Sequence, residues 1–88
     1  MKLHLAHILL KQKYEAEDVE KKLKEGVAFE KLAQSYSECS SAPQGGDLGE
    51  IALSRLDSDF AEAAEVLKPG QVSPVVRTRF GYHLIKRF

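Results

Sequence analysis

The chain reads as an α+β fold, with a mixed or antiparallel sheet and helices around it. Three observations predict this. Residues 3–10, LHLAHILL, alternate as a strand that is apolar on both faces. Two helical stripes separate it from the next strand. The chain closes on two strands joined by the turn RTRFG. The full order is strand–helix–helix–strand–helix–strand–strand.

In the first strand Leu3, Leu5, His7 and Leu9 share one face, and His4, Ala6, Ile8 and Leu10 the other. Such a strand belongs at the centre of a sheet. Residues 15–25 predict a helix with Ala16, Val19 and Leu23 on its buried face. Glu17–Lys21, Asp18–Lys22 and Glu20–Lys24 are acid-to-base pairs at i,i+4, each worth a few tenths of a kcal/mol. Gly26 stops it. Residues 28–36 predict a second helix on Phe29, Leu32, Ala33 and Tyr36. A loop, SECSSAPQGGDLG (37–49), then leads to a strand near Leu48–Ile51. A third helix is expected from Asp59, where DFAE has the acid-x-x-Glu spacing of a capping box. Its stripe is Phe60, Ala63, Ala64 and Leu67, and KPG at 68–70 ends it. Residues 72–76 predict an edge strand, because Pro74 interrupts it. Residues 82–87 form the last strand, with His83 and Ile85 on one face and Tyr82 and Leu84 on the other.

At 88 residues, one domain over 1–88 is expected, and 43% hydrophobic content suffices for one core. Thirteen basic residues balance thirteen acidic ones, and they are scattered. Neither nucleic acid nor an anionic membrane is an expected partner. No run approaches the ~18 apolar residues of a membrane span. The start, MKLHLAHILLK, hints at a signal peptide, but His4 and His7 interrupt it and no small-residue cleavage site follows. With an initial Met and no targeting segment, a free, monomeric, cytoplasmic protein is expected. The single cysteine excludes an internal disulfide framework and suits a reducing cytosol, although excision from a longer exported protein is compatible with it.

Three residues invite chemistry. His7 and His83 each stand on an apolar strand where a Val or Ile would serve. One such histidine alone is more often a hydrogen-bonded core residue. Two of them, near the two ends of a small chain, would meet in mid-sheet and bond to each other, one donating and one accepting. His4 is read as structural or at the surface. Cys39 is the third. With the histidines it admits a cysteine-hydrolase reading, a metal reading and the plain reading of a small loop residue, and the spacing does not choose. No metal motif or nucleophile elbow is present. The glycines of QGGDLG lack the phosphate-binding fingerprints and are better read as turn and close-approach residues. Leu56, Phe60 and Phe80 are core residues by default. If Phe60 faces the histidines, it forms an apolar wall for a ligand ring.

HIL on the first strand, SxCSS followed by GGDLG, and FGYHLI at the end occur in an order and spacing that resemble the parvulin family of peptidyl-prolyl cis/trans isomerases. The resemblance covers nearly the whole chain. It implies a four-stranded, mainly antiparallel sheet surrounded by helices and an enzyme that needs no cofactor and no metal. Its partners would be proline-containing segments of client proteins. It also implies that His7 and His83 are the family's central pair, that Cys39 is its loop cysteine, and that Thr78 hydrogen-bonds the pair. A polar network of His7, His83, Thr78 and Cys39 would then face an apolar proline pocket of Leu56, Phe60 and Phe80, with Ile51 on the adjoining strand. Leu56 stands where many members have Met, and Ile51 where an aromatic is frequent. The arginine cluster of the phospho-specific members is missing after the first strand, where only Lys11 and Lys13 stand.

Overall fold

The computed structural model describes residues 2–88. Its elements are β1 (Lys2–Leu10), α1 (Lys13–Lys24), α2 (Phe29–Tyr36), β2 (Asp47–Ala52), α3 (Ser58–Glu65), β3 (Val76–Thr78) and β4 (Gly81–Arg87). The four strands form one antiparallel sheet in the order β2-β1-β4-β3. Strands from the two ends of the sequence therefore lie side by side at its centre.

The alternation of β1 explains the layers. Ala6, Ile8 and Leu10 pack with Leu84 against Ala16 and Val19 of α1 and Phe29, Leu32 and Ala33 of α2. Leu3 and Leu5 pack with Ile85 against Phe60 and Ala64 of α3 and against Leu67. Leu5, Ile8, Leu10, Leu84 and Ile85 are fully buried, each stabilising by about 1.5–3 kcal/mol. Tyr36, expected on the buried stripe, is 43% exposed. Of the three expected acid–base pairs, Asp18–Lys22 closes, at 2.7 Å.

Two departures from the sequence reading bear on the site. The third strand is displaced from 72–76 to Val76–Thr78, and Val72 makes only an isolated bridge to Lys86. Pro74 has no N–H to continue a ladder. Before it, Ser73 holds β4 twice: its N–H donates to the Ile85 carbonyl at 2.7 Å, and its hydroxyl accepts the Ile85 N–H at 3.0 Å. Regular pairing starts only beyond the proline, and the expected RTRFG turn narrows to Arg79–Phe80. The cap of α3 is Asp57 rather than Asp59, since the Asp57 carboxylate accepts the Asp59 N–H at 3.0 Å.

The loop between α2 and β2 is fastened to β1 at both ends. At its start, Ser37 Oγ accepts the Leu9 N–H at 3.0 Å, and the Glu38 N–H donates to the Leu9 carbonyl at 2.8 Å. At its end, the His7 N–H donates to the Gly46 carbonyl at 3.0 Å. Gly46 has φ +80°, and a Cβ there would run into the His7 carbonyl oxygen. Entering β2, a bulge lies where Leu5 pairs with Gly49 but Ala6 pairs with Asp47, leaving Leu48 without a partner across on β1.

Gly46→Ala is expected to destabilise the domain by about 2 kcal/mol or more, from the left-handed backbone and the clash together. Urea denaturation would show this as a lower midpoint at an unchanged slope.

Candidate active site

The central pairing places the histidines. His7 stands opposite Ile85 and His83 opposite Leu9, so the two are diagonal neighbours on one face. Their Nδ1 atoms are 3.0 Å apart, and both residues are buried. Thr78, on β3, puts Oγ1 2.7 Å from His83 Nε2, and the same oxygen accepts the Phe80 N–H at 3.2 Å.

Counting protons orders this chain. Thr78 donates its hydroxyl proton to His83 Nε2. His83 Nδ1–H then donates to His7 Nδ1, and His7 keeps its proton on Nε2. That atom is buried and has no hydrogen-bond partner among the described residues. The reverse direction would leave the threonine proton without an acceptor as well. This order takes both rings as neutral, in keeping with their burial. Burial, with a smaller contribution from His83, lowers His7 from 6.5 to about 4. Burial also lowers His83, which Asp57 partly opposes.

The pair forms one wall of a cavity of about 240 Å³. Phe60 of α3 packs edge-on against both rings, 5.5 Å from His7 and 5.1 Å from His83. Leu56, Phe80 and Ile51 line the same cavity. Thr78 stands behind His83 and does not line it.

Cys39 also lines the cavity, but its place in the expected network is corrected. Among the described residues no hydrogen bond joins it to His7, His83 or Thr78. The loop is positioned by its backbone bonds to β1, and these set the thiol at the rim, half-buried. Burial pushes the thiol up, but the hydroxyl and N–H groups of Ser41 and Ser40 outweigh it and hold it below its ordinary value. Ser41 Oγ, buried and with no hydrogen-bond partner among the described residues, is available to donate to the sulfur.

Three lining residues escaped the sequence reading: Leu48, Arg55 and Asp57. The bulge frees Leu48. Asp57 has the most connections: it caps α3, which carries Phe60, and its carboxylate holds Arg79 at 3.4 Å. Arg79 in turn stacks its guanidinium 5.0 Å from the Phe80 ring. One acid thus links the helix bearing Phe60 to the hairpin tip bearing Phe80. The signal in the sequence was LDSDF, where two acids compete for one cap.

A family model described as "Rotamase: PPIC-type PPIASE domain" matches residues 7–88. The chain belongs to the PPIC-type peptidyl-prolyl isomerase family. It is 52% identical over 87 residues to the foldase protein PrsA of Bacillus subtilis, covering 98% of this chain and 30% of that protein. The crystal structure of that PrsA superposes with a TM-score of 0.94, covering 98% of this chain and 34% of the other. The solution structure of NmPin, the parvulin of Nitrosopumilus maritimus, is 41% identical with a TM-score of 0.87. It covers 99% of this chain and 95% of the other. The isomerase domain thus spans about 30% of the length of the curated foldase it matches. The expected fold class, a four-stranded antiparallel sheet surrounded by helices, holds.

The histidine pair makes the domain acid-sensitive. Between pH 7 and pH 4 the unfolded chain takes up protons that the folded pair refuses. Stability therefore falls as pH drops through that window. For His7 alone the loss is about 3 kcal/mol at roughly 1.4 kcal/mol per pH unit. Urea denaturation at a series of pH values should show it, with a flatter dependence in His7→Gln. Asp57→Asn should keep the cap, release Arg79 and move the His83 titration to lower pH, read by histidine NMR.

Proposed function

We propose that this domain accelerates rotation about Xaa–Pro bonds in segments of client proteins by non-covalent means, with His7, Cys39, Thr78 and His83 as the polar side of the site and Leu56, Phe60, Phe80 and Ile51 as the proline pocket. The observation that carries the reading is the apolar cavity walled by a neutral, mutually bonded histidine pair with Phe60 against both rings.

The unaided bond rotates in tens to hundreds of seconds, against a barrier of ~18–20 kcal/mol that arises from amide resonance. Resonance separates charge in the planar amide, and twisting removes that separation. An apolar wall that replaces water therefore penalises the planar forms more than the twisted one. Phe60, Leu56 and Phe80 hold the ring while the carbonyl on its other side swings. This is binding selective for the transition state, and no proton has to be transferred. Cys39 contributes polarity at the rim. Nucleophilic attack by its sulfur has little support, since neither imidazole is bonded to it as a base.

A monomeric, cytoplasmic setting remains part of the proposal, and its cytoplasmic half is supported by the single unpaired cysteine. A second setting, as the isomerase segment of a longer foldase, is supported by the match to about 30% of PrsA.

Exchange NMR on Xaa–Pro peptides tests the activity. The wild type should speed exchange. Phe60→Leu should lower kcat/KM about tenfold, or ~1.4 kcal/mol, while staying folded. Cys39→Ser should retain activity within about tenfold. A thio-adduct trapped on the intact enzyme, together with complete inactivity of Cys39→Ser, would reject the non-covalent mechanism. Binding without enhanced exchange would leave a peptide-binding module instead.

A further inference from the structure

A second cavity, of about 510 Å³, wraps the outer edge of β2 and is lined by Lys2, Leu48, Glu50, Ile51, Ala52 and Arg55. Leu48, Ile51 and Arg55 also line the proline pocket, so the second cavity adjoins that pocket as a groove along the edge of β2. β2 is an edge strand, and its free side is open. Of the four charged residues along the two cavities, Lys2, Glu50, Arg55 and Asp57, only Arg55 and Asp57 line the proline pocket. Arg55 is exposed and enters no ion pair among the described residues. The nearest acid in the sequence, Asp57, is already engaged by Arg79 at 3.4 Å. The second cavity itself holds two cations, Lys2 and Arg55, and one anion, Glu50.

We propose that this groove is a subsite for the client residue adjacent to the proline, and that Arg55 makes it favour a carboxylate side chain there. The inference rests on the isomerase reading above. An extended chain advances at most ~3.3–3.6 Å per residue, so the neighbour of a seated proline cannot travel far from the pocket. The shared lining gives that neighbour a place directly beside it. Leu48 and Ile51 receive its aliphatic stem, and Arg55 meets its charged end. The device differs from an arginine cluster after the first strand, because it uses the sheet edge and the turn before α3. A two- to fivefold preference corresponds to ~0.4–1 kcal/mol, within the range of an exposed charge pair, and salt screens it.

The test uses two peptide sets in one frame, with Ala, Gln, Glu or Lys either directly before or directly after the proline. Exchange NMR gives kcat/KM for wild type, Arg55→Glu and Lys2→Glu, and chemical-shift titration gives each Kd. In one of the two sets the wild type should favour Glu over Gln two- to fivefold, chiefly through KM. The preference should vanish in 0.5 M salt. Arg55→Glu should invert it in favour of Lys, and Lys2→Glu, on the other face of the sheet, should leave it unchanged. Equal Glu/Gln ratios in wild type and Arg55→Glu, or a preference untouched by salt, would overturn the proposal. Absence of enhanced exchange with every peptide would instead overturn the isomerase reading. The Kd ratios then still decide whether the groove selects a carboxylate.

Discussion

The pairing of β1 with β4 carries the structure. It joins strands from the two ends of the described chain into the middle of one sheet, and both of their faces are covered. Its register makes His7 and His83 diagonal neighbours, and a slip by one residue would turn one of them to the opposite face. The remaining parts attach to this pair of strands. The cysteine loop is fastened to the backbone of β1 at His7 and Leu9, and β3 brings Thr78 to the far side of His83. The site is therefore held by regular sheet geometry more than by the loops around it.

Two imidazoles in an apolar centre are expensive unless their nitrogens are satisfied. The Thr78–His83–His7 chain satisfies three of the four and leaves His7 Nε2. The same burial that makes charging unfavourable keeps both rings neutral at physiological pH. A neutral wall suits a reaction in which an amide loses charge separation on the way to its transition state. A charged one would hold the planar, more polar form.

Much of the architecture was legible because it rests on period. The alternation in β1 placed Leu3 and Leu5 on one side of the sheet and Ala6, Ile8 and Leu10 on the other, and the i, i+3, i+4 pattern placed Phe29, Leu32 and Ala33 in the core. The meeting of His7 and His83 followed from the same alternation. What escaped depends on partners far away in sequence. The position of β3 is set by Ser73 gripping β4 across Pro74, which no local pattern encodes. Cys39 was expected in the histidine network, but backbone bonds to β1 fix its loop, and they leave it at the rim. Arg55 and Asp57 sit on a short turn with no periodicity, and the cap fell to Asp57 although Asp59 had the better motif.

The hydrogen bond between His7 and His83 spans 76 positions of the sequence. Contacts of such separation form late, because a long stretch of chain must first be ordered. On a ribosome β4 emerges after every other described element, so the polar wall of the pocket does not exist until synthesis has passed His83. A catalyst whose proposed clients are unfolded chains is thereby kept without a working site while it is itself unfolded. Completion of its own fold is the step that switches it on.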